Sequence, residues 1–140
     1  EQVISNLIGN SLIHGFVGID AGCIGIDAAP VDAGHIRLCY RDNGTGIPEP
    51  ILNRIFEPFF TTRLGCGGSG LGLYIAYNLV TGVLGGTVAV RSQPGQGTVF
   101  DLVLPMVAPS PTVPGQASLP PGSRQRPHEP RQSSDDATNH

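Results

Sequence analysis

Two pairs of strand-like segments, each joined by only a few residues, constrain the fold of this chain most. CIGIDAAP and HIRLCYRDNG flank the polar residues VDAG, whereas TVAVRS and TVFDLVLP flank QPGQG, whose glycines suit a reversal of the chain. Both pairs therefore predict antiparallel hairpins. Apolar residues recur at helical spacing over residues 1–14 and 70–84, and PEPILNRIF predicts a short helix between the hairpins. The order helix, hairpin, helix, helix, hairpin indicates an α+β fold, with helices on one face of a mixed, mostly antiparallel sheet.

The composition changes abruptly from about Pro105 onward. Pro, Ser, Gln, Arg and Asp predominate there, and almost no large apolar residue follows Leu119. Such a segment cannot bury enough apolar surface to offset the entropy lost on ordering. We therefore expect one folded domain over residues 1–106 and a Pro-rich disordered tail over residues 107–140. Because the chain begins within an apolar helical pattern, we also expect the domain to be truncated at its N-terminal edge.

The charge and the cysteine content argue against several classes of function. A formal net charge of -3 gives no strong attraction to nucleic acid or to an anionic membrane, and no apolar run approaches the roughly 18 residues of a membrane-spanning helix. Cys23, Cys39 and Cys66 are widely spaced and form no C-x-x-C pair, so neither a disulfide framework nor a zinc site is indicated. We expect no nucleic-acid partner, no direct membrane contact and a reducing, cytoplasmic location.

The glycine-rich stretch GCGGSGLGL, residues 65–73, matches the glycine spacing of two phosphate-binding loops at once. The dinucleotide fingerprint G-x-G-x-x-G needs a preceding strand and an acidic residue about 20 positions further on, but FFTTRL precedes here and AVRSQ follows. The P-loop needs a lysine where Leu71 stands. What remains is a flexible glycine segment that enters a helix N-terminus, which suits an anion. A mobile linker without a ligand is the alternative.

Asp42 ends the second predicted strand, and Gly44 and Gly46 follow it, so a carboxylate stands beside backbone that can approach a ligand closely. A carboxylate only accepts hydrogen bonds. It therefore suits the amino group of adenine and repels the carbonyl oxygen of guanine. Asp-Asn-Gly is also an ordinary turn sequence, which is the alternative interpretation.

Asn6 and Asn10 are four residues apart and therefore share one face of the first predicted helix, among apolar residues. Buried amides need hydrogen-bond partners. Their oxygens also suit a Mg²⁺ ion that keeps several waters and holds substrate phosphates. A pair of satisfied polar core contacts is the alternative.

The segment RIFEPFFTTR combines aromatic residues with hydroxyls and a guanidinium. The aromatics can fix a hinge by packing, while Thr61, Thr62 and Arg63 face phosphates. We also expect Phe56, Phe59 and Phe60 to act as a hydrophobic anchor under a loop.

Four segments, taken in order, are similar to the motifs of one family. NLIGNSLIHGF, DNGTGIP, IFEPFFTTR and GGSGLGL resemble the N, G1, F and G2 boxes of the ATP-binding catalytic domain of sensor histidine kinases, and PGQGTVFDLVLP resembles its closing hairpin. The likeness covers nearly everything from Glu1 to Pro105. It implies the two-layer α/β sandwich called the Bergerat fold, which the gyrase, chaperone, kinase and mismatch-repair ATPases share. It also implies ATP and Mg²⁺ as ligands.

The resemblance implies roles for individual residues. Asn6, Asn10 and Arg63 would be catalytic: Asn10 would hold Mg²⁺, with Asn6 beside the phosphates and Arg63 as the cation nearest to them. Asp42 would accept the adenine amino group. Residues 61–70 would form a mobile lid over ATP, and the backbone of residues 70–73 would receive phosphates. The residues expected at the nucleotide are Asn10, His14, Asp42, Gly44, Gly46, Ile47, Phe59, Thr61, Thr62, Gly68, Ser69, Gly70, Leu71, Gly72, Leu73 and Thr98.

Two positions bear on the reaction that the resemblance implies. Many family members have Lys or Arg where this chain has Ile13, so the role of that phosphate-facing cation falls to His14 or Arg63. Hydrolysing members of the superfamily have a water-activating glutamate at the position of Asn6, and an amide cannot act as a general base at neutral pH. We therefore expect a kinase that donates the γ-phosphate to a histidine rather than to water.

The four histidines of the chain lack the surroundings of a phosphoacceptor on a dimerisation helix. His14 precedes a glycine, His35 opens a strand, His128 stands between prolines and His140 ends the chain. We expect the acceptor on a dimerisation domain upstream, and a response regulator receiver domain as the next partner in a two-component system. Two alternatives stay open: a nucleotide-binding regulatory module without phosphotransfer, and an interaction scaffold that uses the Pro-rich tail.

Overall fold

The elements follow one another in the predicted order. Helix α1, Gln2–Asn10, continues as a π-helical turn over Ser11–Gly15. Strands β1, Ile24–Pro30, and β2, His35–Asp42, come next, followed by the short helix α2, Glu49–Leu52. Helix α3, Gly72–Asn78, also continues as a π-helical turn, Leu79–Val83, and strands β3, Thr87–Ser92, and β4, Thr98–Pro105, complete the series.

The structure is a computed structural model that describes residues 1–110. Most of the predicted tail, residues 111–140, lies outside the described residues, so the boundary at residue 106 and the disorder beyond it stay predictions. Within residues 1–110, none of the helices has both the length and the apolar character needed to cross a membrane.

The strands described in residues 1–110 form one sheet in the order β1-β2-β4-β3, and every pairing is antiparallel. Both predicted hairpins are therefore confirmed, β1 with β2 and β3 with β4. The pairing of β2 with β4 joins them, and its register sets Tyr40 opposite Phe100 and Asp42 opposite Thr98. The ends of the two central strands thus bring two distant polar residues together.

The core lies between the helices and one face of the sheet. Tyr40, Phe100 and Leu102 from the central strands are buried against Leu7 of α1 and Val80 after α3. The opposite face carries charged residues instead: Asp101 on β4 accepts hydrogen bonds from Arg37 on β2 and Arg91 on β3. Because side chains alternate between the faces of a strand, this division produces the predicted two-layer α+β architecture.

The first helix widens at its C-terminal end, next to the cavities described below. Phe16 N–H donates to the Ser11 carbonyl at 2.8 Å, five residues back, which is the hydrogen bond of a π-helical turn. Ser11 within this turn is buried and faces β2, where its hydroxyl reaches Asp42. His14 in the same turn reaches the segment that precedes α3.

Candidate functional site

Three segments converge on one side of the molecule: the C-terminal half of α1, the loop after β2 and the segment before α3. Two adjoining cavities of about 200 and 250 Å³ lie between them. We call the first the asparagine cavity, because Asn6 and Asn10 line it, and the second the aspartate cavity, because Asp42 lines it. The residues that line both are Asn10, His14, Ile55, Phe60 and Leu73. One elongated ligand can therefore occupy both cavities.

Asp42 is only 8 % exposed and is held by three hydrogen-bond donors. Its Oδ1 accepts from the backbone N–H groups of Gly44 at 3.0 Å and Thr98 at 3.1 Å, and its Oδ2 accepts from the Ser11 hydroxyl at 2.6 Å. The strand register brings Thr98 opposite Asp42. A carboxylate has about four acceptor positions, so one position on Oδ2 remains for a donor in the aspartate cavity.

The loop after Asp42 is fastened to the turn between β3 and β4. Gly95 N–H donates to the Thr45 carbonyl at 2.7 Å, and Ile47 N–H donates to the Ser92 hydroxyl at 2.8 Å. Gly46 has a φ of 74° and lies against a backbone carbonyl of that turn, where a side chain has no room. The loop therefore presents Ile47 at a fixed place in the cavity wall.

Asn6 lines the asparagine cavity and carries a hydrogen-bond donor without a partner in the described part of the chain. Within residues 1–110, its Nδ2 is buried and has no hydrogen-bond partner. Leaving such a donor unpaired costs about 1–3 kcal/mol, so the position is suited to an acceptor on a ligand. The alternative of a satisfied polar core contact is therefore wrong for Asn6.

The predicted lid contacts the end of α1 at two places. Thr62 Oγ1 lies 3.3 Å from His14 Nδ1, and Arg63 Nη1 donates to the Ile13 carbonyl at 3.2 Å. Partial burial lowers the pKa of His14, and the positive charge of Arg63 lowers it further. The lowered pKa favours the neutral form of His14 at pH 7, in which Nδ1 can accept a hydrogen bond from the Thr62 hydroxyl.

The end of the lid crosses over Phe59. Gly70 has a φ of 72°, and a Cβ built on it would lie 2.5 Å from the Phe59 carbonyl carbon. Phe59 itself has a φ of 65°, and its side chain is 71 % exposed. The predicted hydrophobic anchor is therefore wrong for Phe59, because this backbone conformation directs its ring to solvent. Phe56 and Phe60 do pack against the core, as predicted.

Most of the predicted site residues line a cavity. In the asparagine cavity these are Asn6, Asn10, His14, Gly68, Ser69, Gly70, Gly72 and Leu73. In the aspartate cavity they are Asn10, His14, Asp42, Gly46, Ile47, Thr61, Thr62, Leu73 and Thr98.

Four predicted residues line neither cavity. Gly44 N–H is used by Asp42, and Leu71 N–H is used by the Ser69 hydroxyl at 3.3 Å. Arg63 reaches the backbone of Ile13, and Phe59 faces solvent. In this conformation Gly44 and Leu71 therefore act on the site through their neighbours, whereas Arg63 acts through its charge at the end of α1.

Several cavity residues were not predicted from the sequence. The main ones are Ser5, Gly9, Ile13, Ile51, Ile55 and Phe60. Helical periodicity marks Ile51 and Ile55 as inward-facing, but it does not distinguish a core face from a cavity wall. Ser11, which bonds to Asp42, was also missed, although a serine within the apolar stripe of the helix predicted over residues 1–14 is a signal that it needs a buried partner.

Comparisons with known proteins agree on one family. The family described as histidine kinase-, DNA gyrase B-, and HSP90-like ATPase matches residues 1–108. The alginate biosynthesis sensor protein KinB of Pseudomonas aeruginosa is 42 % identical over 106 residues, which are 76 % of this chain and 17 % of that protein. Sporulation kinase E of Bacillus subtilis is 35 % identical over 106 residues, or 76 % of this chain and 14 % of that protein. The chain thus spans less than a fifth of the length of these relatives.

Solved structures show the same similarity. The mycobacterial sensor histidine kinase MprB is 31 % identical with a TM-score of 0.61, over 74 % of this chain and 68 % of that one. Full-length ShkA in complex with AMPPNP is 32 % identical with a TM-score of 0.63, over 78 % of this chain and 22 % of that one.

Proposed function

Because the chain belongs to the histidine kinase-, DNA gyrase B- and HSP90-like ATPases, and within them to the ATP-binding catalytic domains of sensor histidine kinases, we propose that its two cavities together bind one ATP. The family and the α+β sandwich expected from the sequence are thereby confirmed. The observation that carries the proposal is a pair of unmet hydrogen-bonding groups. Asp42 lines one cavity and has a free acceptor position, and Asn6 lines the other and has a buried donor without a partner in residues 1–110.

Adenine fits the aspartate cavity. Its amino group can donate to Oδ2 of Asp42, the oxygen with a free acceptor position. Ile47, Ile51 and Leu73 offer apolar surface for the purine ring in the same cavity. The carbonyl oxygen of guanine in that place would meet a carboxylate oxygen and be repelled.

The phosphates fit the asparagine cavity. The buried Nδ2 of Asn6 can donate to a phosphate oxygen, and Gly68, Gly70 and Gly72 line the same cavity. Arg63 and His14 stand at the junction with the lid, where Arg63 supplies the positive charge. A cation therefore reaches the position at which Ile13 replaces the usual Lys or Arg.

Mg²⁺ would arrive with the nucleotide and be held by Asn10. No group of three or more His, Cys, Asp or Glu side chains within residues 1–110 could bind a metal by itself. An asparagine oxygen together with phosphate oxygens and waters does suit Mg²⁺, which keeps much of its hydration in nucleotide sites. When bound, the ion neutralises charge on the phosphates.

The γ-phosphate would pass to a histidine on a dimerisation domain and then to a response regulator receiver domain. Asn6 stands where a hydrolytic relative needs a carboxylate, and its amide cannot take a proton from water. His35 is exposed at the end of β2 remote from Asp42, and it pairs with Asp32. It is therefore poorly placed as an acceptor, and His128 and His140 lie outside the described residues.

Phosphotransfer is tested by mixing the chain with labelled ATP, Mg²⁺ and the phosphoacceptor domain of a sensor histidine kinase. We expect acid-labile, alkali-stable label on that domain and its loss with Asn10→Ala. Label that appears only as free phosphate would show a hydrolase. ATP binding with no transfer to any phosphoacceptor domain would favour the regulatory module.

A further inference from the structure

Two hydroxyl groups lie behind Asp42 without lining either cavity. Ser11 and Tyr40 are both 0 % exposed. Ser11 Oγ donates to Asp42 Oδ2 at 2.6 Å and lies 2.8 Å from the Tyr40 hydroxyl, which also reaches the Leu7 carbonyl at 3.2 Å. A buried chain of hydroxyls therefore runs from α1 and β2 to the carboxylate.

The direction of these hydrogen bonds follows from counting protons. Ser11 has one hydroxyl proton, and it donates this proton in a hydrogen bond to Asp42 because a carboxylate can only accept. The Tyr40 proton is then shared between Ser11 Oγ and the Leu7 carbonyl. Burial raises the pKa of Tyr40, the hydrogen bond with Ser11 opposes this, and the charge of Asp42 raises it further. Tyr40 is therefore a donor at neutral pH.

We propose that Ser11 and Tyr40 are positioning residues that make the site select 6-amino over 6-oxo purine nucleotides, an inference that rests on the proposed binding of ATP. Oδ1 of Asp42 is filled by the N–H groups of Gly44 and Thr98. Ser11 fills the inner position of Oδ2 and leaves one acceptor position facing the cavity. The purine base must therefore present a hydrogen-bond donor to the free acceptor position of Oδ2.

Removing the Ser11 hydroxyl would relax this selection. The inner position of Oδ2 would lose its donor, and the carboxylate could turn or take up a water. A water both donates and accepts, so it can adapt the site to the carbonyl oxygen of a 6-oxo purine. Tyr40 acts one step further away, because its hydroxyl holds Ser11 Oγ in place.

Calorimetric titration of the full chain with three Mg²⁺-loaded ligands tests this assignment: ATP, inosine triphosphate and inorganic tripolyphosphate. Inosine triphosphate has a 6-oxo group in place of the amino group, and tripolyphosphate addresses the asparagine cavity alone. We expect Ser11→Ala to lower the affinity ratio of ATP to inosine triphosphate about tenfold. Tyr40→Phe, which removes one oxygen from the core, should lower it about threefold. The double variant should match Ser11→Ala, and tripolyphosphate affinity should not change.

Different results overturn different parts of the account. An unchanged ratio in both single variants contradicts the positioning role, and so does an equal loss of affinity for all three ligands, which is what a purely structural contact would give. If Ser11→Ala fails to fold, the affinity ratio of ATP to inosine triphosphate in Tyr40→Phe alone tests the positioning role. A wild-type chain that binds tripolyphosphate but does not prefer ATP over inosine triphosphate overturns the adenine contact itself. A wild-type chain that binds none of the ligands overturns the proposed function.

Discussion

The guanidinium of Arg63 donates a hydrogen bond to the backbone carbonyl of Ile13 at 3.2 Å. A residue of the lid thereby brings a positive charge to the end of α1, where the side chain of Ile13 offers none. The same contact holds the lid next to His14, whose pKa is lowered by burial and by this charge. Arg63 thus links the position of the lid to the electrostatics of the phosphate end of the site.

Arg63→Ala should weaken ATP binding about tenfold, because the phosphate end of the site loses a nearby positive charge and the lid loses its contact with the Ile13 carbonyl. Adenosine affinity should stay unchanged, since the aspartate cavity is intact. Arg41→Ala is the matched control: Arg41 is exposed and pairs with Asp27 on the sheet. Fluorescence competition with both ligands measures the effect. Equal ATP affinities of Arg63→Ala and Arg41→Ala would contradict a role for Arg63 at the phosphates.

His14 should make stability depend on pH in the mildly acidic range. Its pKa in the folded chain is lowered from the ordinary value of 6.5, so the unfolded chain binds the proton more readily. The free energy of unfolding therefore falls as the pH drops below about 6.5, and this loss ends once the pH has passed the folded-state pKa. Urea unfolding between pH 5 and 8 should show a smaller fall in His14→Gln. If the free energy of unfolding depends on pH in the same way in the wild type and in His14→Gln, His14 is not the cause of the pH dependence.

Gly70→Ala should weaken ATP binding more than tenfold, because a Cβ there meets the backbone of Phe59 and displaces the lid. Gly65→Ala provides the comparison. Gly65 also has a positive φ, 83°, but a Cβ added there would meet no other atom within 4 Å. Gly65→Ala should therefore suffer only the conformational cost of a non-glycine residue at positive φ, which is roughly 1–2 kcal/mol. Similar ATP affinities in both variants would show that the crossing at Phe59 does not shape the site.

Asn6→Leu should stabilise the nucleotide-free chain by about 1 kcal/mol, because it removes a buried donor without a partner. The same change should weaken tripolyphosphate binding. Asn78→Leu serves as the control, since Asn78 is exposed and already donates to the Tyr74 carbonyl. Urea unfolding without ligand measures the first effect. A loss of stability in Asn6→Leu would mean that the amide is satisfied in solution.

The order of elements could be predicted from the sequence because it depends on local patterns. Apolar periodicity located α1 and α3, and the short connections located both hairpins. The chemistry of Asp42 and Asn6 made them candidates, since a carboxylate beside glycines and an amide on an apolar helix face each need a partner. Their roles at a nucleotide were assigned only through the resemblance to the kinase family. The predicted helix over residues 70–84 begins only at Gly72, because Gly70 has a positive φ.

What could not be predicted depends on contacts between distant residues. Ser11 meets Asp42 across 31 positions of sequence, and only the packing of α1 on β2 brings them together. Phe59 looked like its aromatic neighbours in the sequence, yet its positive φ under Gly70 turns it outward. Local sequence patterns therefore do not predict the direction of the Phe59 side chain, because it depends on the crossing of two segments of the chain.

The central claim, that Asp42 selects adenine in an ATP site, is tested most directly by calorimetry with Mg–ATP and Mg–GTP on the full chain and on Asp42→Asn. The wild type should bind ATP and bind GTP far more weakly. The variant should lose ATP affinity by roughly 10- to 100-fold, because an amide cannot reproduce the charge-assisted bond to the amino group. ATP affinity that survives Asp42→Asn unchanged, or equal binding of ATP and GTP by the wild type, would contradict the account.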